Sequence, residues 1–286
     1  MSVLLQISDT HFGTEQAPVV EALIRLAAQQ SPKLVVLSGD ITQRARPAQF
    51  RAAKAFVDRL GAPVLAIPGN HDVPLLDLWT RLTRPYGRFA TAFGADLEPV
   101  HASADWLVIG VNTTRAWRHK HGELSPAQIE RVAQRLCAAS PAQLRVVVVH
   151  QPLAVTQTRD QVNLLRGHAE AQRVWAAAGA DLLMGGHIHL PYAMALHGWA
   201  RRLWVVQAGT AVSLRTRPGV PNSVNILRWQ DAPATQDAPL PGTGPAQRHC
   251  RIEQWDFAQD EQAFVCKAVT TVQPERLSDL AHGYSG

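Results

Sequence analysis

Leu34-Val35-Val36-Leu37-Ser38-Gly39-Asp40 is the stretch that decides the fold. A short, unbroken run of branched apolar residues, closed by small and acidic ones, predicts a strand buried on both faces with a polar carboxyl end. The same arrangement recurs along the chain. VLLQIS at 3–8 runs into Asp9-Thr10-His11, and PVLAIPGN at 63–70 runs into His71-Asp72. RVVVVH at 145–150 ends on His150, DLLMGGH at 181–187 ends on His187 and leads to His189, and WLVIGVN at 106–112 is a further strand. Helical stretches lie between them, at Glu21–Gln30, about Ala48–Leu60, the segment opened by Ser125-Pro126, and about His168–Ala178. Ser125 suits an N-cap and Pro126 a first helical position. Buried strands alternating with crossover helices predict an α/β fold, a parallel or mixed sheet with helices outside it.

Beyond Arg201 the pattern changes to strands alone, at 203–209, 223–229, 250–257 and 262–269, so the C-terminal part is expected to be β-rich. Residues 231–247, rich in proline and without periodicity, are expected to form an exposed loop within a C-terminal β-hairpin extension. The motifs run from 9 to 189 without a compositional break, so a single domain is expected over 1–286, with its core at 3–229.

The composition narrows the function classes. At 46% hydrophobic and 18% charged over 286 residues, the chain reads as globular rather than disordered. No window holds eighteen consecutive apolar residues, so no membrane span is expected, and the start, MSVLLQISDTH, lacks a basic leader, so a cytoplasmic location is expected. Three cysteines without CxxC spacing argue against a disulfide framework or a zinc knuckle. The net charge is +5, but the cations are scattered with no Lys/Arg run of four, which gives no strong sign of nucleic-acid binding.

The polar clusters carry the chemistry. In open α/β sheets, ligands gather outside the carboxyl ends of the strands. Each cluster alone is ordinary: a strand-end histidine is commonly a satisfied core residue, and an acidic residue after a strand is commonly a cap. Five of them, in the order DxH, GD, GNHD, H and GHxH, all delivered to one rim, point to a metal site. Carboxylate, imidazole and amide oxygen together suit borderline divalent transition metals such as Mn, Fe, Zn or Co. Two such ions about 3.5–4 Å apart can clamp a phosphoryl group and activate water.

On these motifs the chain resembles the calcineurin-like metallophosphoesterase superfamily over about residues 3–229. The resemblance implies a two-sheet αββα sandwich and a dinuclear centre of two divalent ions. It implies that Asp9, His11, Asp40 and His189 hold the first ion, that Asp40 bridges, and that Asn70, His150 and His187 complete the second site. His71 resembles the family's non-ligand histidine, which faces the phosphate and assists the leaving oxygen, and Asp72 is expected to orient His71. A hydroxide bridging the ions would attack phosphorus. The GNHD and GHIH forms are most similar to class III cyclic nucleotide phosphodiesterases and bacterial glycerophosphodiesterases. One departure stands at His150-Gln151-Pro152, where bacterial cyclic AMP enzymes of that class often carry Asn-His-Pro.

The expected activity is therefore hydrolysis of a small phosphodiester, a cyclic nucleotide first. Alternatives are a glycerophosphodiester or nucleotide-lipid substrate, a nuclease of the same superfamily, or a metal-free interaction scaffold; a homo-oligomer is possible. Arginine suits bidentate contact with phosphate oxygens, which makes Arg115 and Arg215, together with His119, the candidates for substrate contact. Trp79 and Trp117 lie in less regular segments and are candidates for a pocket wall.

Overall fold

The computed structural model describes residues 1–231 and 248–275. Two six-stranded sheets stack face to face. The first has the order β12-β11-β10-β1-β2-β3, built from β1 (Ser2–Ile7), β2 (Leu34–Ser38), β3 (Val64–Ile67), β10 (Ser223–Asp231), β11 (Arg248–Ala258) and β12 (Ala263–Val272). The second has the order β4-β5-β6-β7-β9-β8, from β4 (Val100–Ala102), β5 (Trp106–Gly110), β6 (Leu144–Val148), β7 (Leu182–Gly185), β8 (Tyr192–Leu196) and β9 (Leu203–Gln207). Strands β1, β2 and β3 are mutually parallel, as are β5, β6, β7 and β9, while the remaining strands run antiparallel to their neighbours.

Near-continuous apolar strands are what two covered faces demand. Leu4, Leu34, Val36, Val108, Val146, Val148, Leu182 and Met184 point between the sheets, where Trp106 and Trp229 fill the layer. Their neighbours Val3, Leu5, Ile7, Val35 and Leu37 point outward under helices α1 (Ala17–Gln30), α2 (Pro47–Asp58) and α4 (Gly87–Phe93). On the opposite side Ile109, Val147, Leu183 and Val205 lie under α5 (Pro126–Cys137) and α6 (His168–Ala178). The order helix, sheet, sheet, helix is the expected αββα sandwich.

Local signals explain the boundaries. Ser125 caps α5, its hydroxyl accepting from the Gln128 N–H while the Gln128 side chain accepts from the Ser125 N–H. Helix α6 ends on Gly179, whose left-handed φ of 101° closes the helix. Strands β10 to β12 continue the first sheet through antiparallel pairing. The loop expected over 231–247 lies, from residue 232 on, outside the described residues. A short helix α3 (Leu78–Thr83) precedes α4. Its Leu78, Trp79 and Leu82 are exposed, as is Trp117.

The sheets are tied together where β1, β2, β6 and β7 end. The Gln6 side chain crosses to the Gly185 carbonyl at 3.0 Å, and His150 Nδ1 meets the Ser38 carbonyl at 2.9 Å. The parallel strands thereby bring their carboxyl ends to one rim.

Trp106 tests the inter-sheet layer. Its buried ring donates from Nε1 to Ser2 Oγ at 2.7 Å. Trp106→Ala is expected to destabilise the protein by about 3–5 kcal/mol, and Ser2→Ala by about 1 kcal/mol, read as lowered urea midpoints at unchanged slope.

Candidate metal centre

Asp9 and His11 follow β1, Asp40 follows β2, Asn70 follows β3, His150 follows β6, and His187 and His189 follow β7. All seven meet at the rim between the sheets. Asp9, His11, Asp40, Asn70 and His150 are buried. Ligand-type atoms of Asp9, His11 and His189 lie within 4.8 Å of one another, as do those of Asp40, His150 and His187, and those of His11, Asp40 and His71.

The two halves are joined by one carboxylate. Asp40 Oδ2 faces His11 Nε2 at 3.9 Å, while Asp40 Oδ1 faces His150 Nε2 at 3.2 Å and accepts from the His71 backbone N–H at 2.8 Å. On the Oδ2 side, His189 Nε2 lies 3.3 Å from Asp9 Oδ1 and 3.2 Å from His11 Nε2. On the Oδ1 side, Asn70 Oδ1 lies 3.3 Å from His150 Nε2.

Outer atoms of these side chains are held by the protein, so their inner atoms are aimed. Asp9 Oδ2 accepts from Ser8 Oγ at 2.6 Å and from the His187 N–H at 3.0 Å. Its other oxygen, Oδ1, is buried and receives no well-aligned hydrogen bond, its near neighbour being His189 Nε2 at 3.3 Å, and His187 Nδ1 is buried without a partner. A buried polar atom left without a partner is costly, and two of them facing one rim fit a bound cation. Hard carboxylate and amide oxygens mixed with imidazole nitrogens suit borderline divalent ions. The residues therefore fit the expected pair.

Close approach at this rim also dictates backbone geometry. Asp9, His11, Asp40, His187 and His189 all have positive φ, between 43° and 73°, a region that residues other than glycine enter only at a cost. Gly186 precedes His187 because a Cβ there would run into Ser8 Oγ and Asp9 Oδ2. Gly69 likewise leaves room for the Asp40 backbone and carboxylate.

The electrostatics are those of a compact charged cluster. Burial opposes ionisation of Asp9, but the His189 and His150 imidazoles overcome it and hold the carboxyl at about 2. Burial likewise opposes ionisation of Asp40, and His150 holds it well below its usual range. Burial would neutralise His150, but Asp40 raises it to about 9, and Asp9 raises His189 against the same effect of burial. Burial drives His11 down to about 3, and burial with the neighbouring His150 does the same to His187.

His71 Nδ1 lies 2.9 Å from the Gln43 carbonyl, so Nδ1 carries the proton and Nε2 faces the rim. This corrects the expected role of Asp72, whose carboxylate does not reach the His71 ring. Its oxygens accept the backbone N–H groups of Ile41, Thr42 and Gly69 and the Thr42 hydroxyl, stapling the loop after β2 to the loop after β3. Burial and the Asp40 charge raise Asp72 to about 6 against those bonds.

The expected substrate contacts separate. Arg215 Nη1 lies at the rim, 3.2 Å from His71 Nε2, 3.5 Å from His11 Nδ1 and 2.9 Å from Gln43 Oε1. Arg115 does not: its guanidinium donates to the Asn112 and Thr114 carbonyls and to Gln128 Oε1, tying the loop after β5 to the start of α5. His119 is exposed, and partial burial with the charges of His71, Arg81 and Arg44 lowers its pKa. Gln151, at the departure from the Asn-His-Pro pattern, accepts from Thr113 Oγ1 and donates to the Lys120 carbonyl, so it moors the 113–122 loop. Ser8 and Gln43 were not anticipated. Ser8 stands beside a ligand and could have been suspected; Gln43 acts partly through its carbonyl, which no side-chain motif reports.

A four-layer sandwich with a buried rim of carboxylates, an amide and imidazoles divided by a shared aspartate defines a metal-dependent phosphoesterase. A model of the calcineurin-like phosphoesterase family matches residues 2–191, and the chain belongs to that family. It is 30% identical over 196 residues to a Synechococcus protein named a probable cyclic nucleotide phosphodiesterase, covering 65% of this chain and 72% of that one. It is 27% identical over 204 residues to a cAMP/cGMP dual specificity phosphodiesterase of Mycobacterium tuberculosis, covering 65% of this chain and 61% of that one. The fold matches that of a dimetal phosphatase from Danio rerio with a TM-score of 0.63 at 12% identity, over 96% of this chain and 99% of that one. The chain is a hydrolase acting on phosphoester bonds through a dinuclear metal centre. Among the described residues no helix is long and apolar enough to cross a membrane.

With His150 near 9 in the metal-free protein, its imidazole is protonated at pH 7. A ligating nitrogen must be neutral, so metal loading releases protons. Proton release in weakly buffered solution at pH 7 should accompany loading, and apparent metal affinity should rise with pH up to about 9. Gly186→Ala should weaken metal loading on the Asp9 side, read as lost stoichiometry in elemental analysis.

Proposed function

We propose that this protein hydrolyses a small phosphodiester, a cyclic nucleotide first, at a centre in which Asp9, His11, Asp40 and His189 hold one divalent ion and Asp40, Asn70, His150 and His187 hold the other. The observation that carries this reading is the division of Asp40, one oxygen facing the His11 side and the other the His150 side. Two dications held close together repel strongly, and a shared carboxylate between them lowers that cost.

When bound, such a pair supplies the positive charge that activates water and polarises phosphoryl oxygens. The chain's own residues do the rest. Asp9, fixed by Ser8 and the His187 N–H, directs a single oxygen inward. His150, fixed by the Ser38 carbonyl, presents Nε2. His71, anchored through Nδ1 on Gln43, presents Nε2 to the open side, where that nitrogen can take up a proton from solvent and pass it to the departing alcohol oxygen. The cyclic nucleotide preference is supported by what the two relatives are named for. The glycerophosphodiester alternative is supported by a shorter match, 37% identity over 83 residues and 24% of this chain, to a glycerophosphodiester phosphodiesterase of Enterobacter lignolyticus.

The test is hydrolysis of bis(p-nitrophenyl) phosphate, 3′,5′- and 2′,3′-cyclic nucleotides and glycerophosphodiesters by protein loaded with Mn, Fe, Zn or Mg. Cleavage of the cyclic nucleotides above the other natural diesters is expected; glycerophosphodiesters cleaved faster would transfer the assignment to them. Asp40→Asn should lose metal stoichiometry and turnover together, and a fully active, two-metal variant would remove the bridging role. His71→Ala should keep both ions and lose about 10²–10⁴-fold in turnover, most with poor leaving groups.

A further inference from the structure

Arg215 has no carboxylate partner among the described residues, although it is half-buried beside two imidazoles. Its guanidinium donates to Gln43 Oε1 and lies 3.2 Å from His71 Nε2 and 3.5 Å from His11 Nδ1. Two residues on, Arg217 shows the usual solution, a pair with buried Asp160 at 3.0 Å and a bond to Gln157 Oε1.

The chain holds Arg215 there by its backbone. The Arg215 N–H donates to Ser213 Oγ at 3.0 Å, its carbonyl accepts from Thr210 Oγ1 at 2.9 Å, and the Leu214 N–H donates to the Thr14 carbonyl at 2.9 Å. Asn222 Nδ2 fastens the same turn through the Ser213 and Thr210 carbonyls. A turn anchored at each step, aiming one unpaired cation at the rim, is built to meet an anion. Because the Gln43 carbonyl can only accept, His71 Nδ1 is the donor in that bond, and the lone pair at Nε2 accepts from the guanidinium. A resting contact of that kind to a neutral acceptor is weak beside the charge-assisted, two-pronged bond that a guanidinium makes with phosphate.

We infer that Arg215 is the clamp on the substrate phosphate, resting on His71 Nε2 and Gln43 until the phosphodiester arrives. The phosphate oxygens then take over the guanidinium's donors, which fixes the substrate against the rim and frees the His71 Nε2 lone pair to take up a solvent proton for the departing oxygen. Arg215 thus couples two events, recognition of the anion and exposure of the imidazole. The inference rests on the proposed phosphodiesterase reading and adds the group that recognises the substrate's charge.

The experiment uses the full chain loaded with manganese(II), with inorganic phosphate as the probe. Phosphate affinity is measured by calorimetry, alongside metal content and the kinetics of bis(p-nitrophenyl) phosphate cleavage. Arg215→Gln should keep two ions and bind phosphate at least about tenfold more weakly, as loss of a charged hydrogen bond implies. Its KM for the diester should rise with it. Arg215→Ala should recover turnover on addition of guanidinium ion and not of methylammonium, a rescue that a merely structural role would not allow. Wild-type phosphate affinity in Arg215→Gln would overturn the clamp, and so would loss of an ion, which would assign Arg215 to holding His11. A wild type that binds two ions and phosphate but cleaves no diester would overturn the phosphodiesterase reading and leave the clamp standing.

Discussion

Everything at the rim follows from burying two carboxylates, Asp9 and Asp40, at the ends of adjacent parallel strands. An ionised carboxylate removed from water must be paired or bonded. The protein provides only part of this. Backbone N–H groups and Ser8 satisfy the outer face of each, while the inner oxygens face imidazoles that burial itself tends to neutralise, as at His11 and His187. In the metal-free chain a proton on His150 fills the gap, since the Asp40 charge holds that imidazole near 9. The same concentration of charge that opposes folding of the empty site is what makes it a strong receptor for cations.

Geometry enforces that compromise. Five of the seven ligand-type residues occupy the left-handed region without being glycine, at a cost on the order of 1–3 kcal/mol each. Such strain persists only where surrounding structure over-determines it. Here the over-determination comes from the two sheets. The Gln6 side chain, the His150 ring and the His187 N–H each cross from one sheet to the other within a few residues of a ligand. The strained turns therefore cannot relax separately. Asp72 extends the same logic within the first sheet, spending its whole hydrogen-bonding capacity on the loops that carry Asp40 and Asn70.

The parts of the fold that are doubly covered were legible in the sequence, because burial on both faces leaves no polar position to blur the run. Leu34–Ser38 and Trp106–Gly110 are of this kind, and the helix expected over His168–Ala178 has those bounds. The elements that escaped notice are partly exposed or very short. Strand β8 is half-buried throughout, β4 has three residues, and α3 buries no side chain, so none shows a clear period. The ligand-type residues that the fold gathers at the rim were legible because each is a polar residue set directly after such a run. The roles of Asp72 and Arg115 were not, since both depend on backbone groups brought near by the loops rather than on a side-chain pattern. Nor was Gln43, whose carbonyl orients His71.

This difference in legibility reflects a division of labour. Groups suited to holding cations stand within a few residues of strand ends, where the sheets fix them and where substitution disturbs the core. Arg215, the group proposed to clamp the phosphate, stands instead on the 210–217 loop, moored by Asn222 on backbone carbonyls as the 113–122 loop is moored by Gln151. A loop held at a few such points keeps its shape while its outward residues change freely. Geometry at the rim is therefore constrained by the whole sandwich, whereas the outward residues of such a loop are constrained only by its moorings. Trp117, exposed on the 113–122 loop, is a residue that could change while leaving the seven ligand-type residues undisturbed.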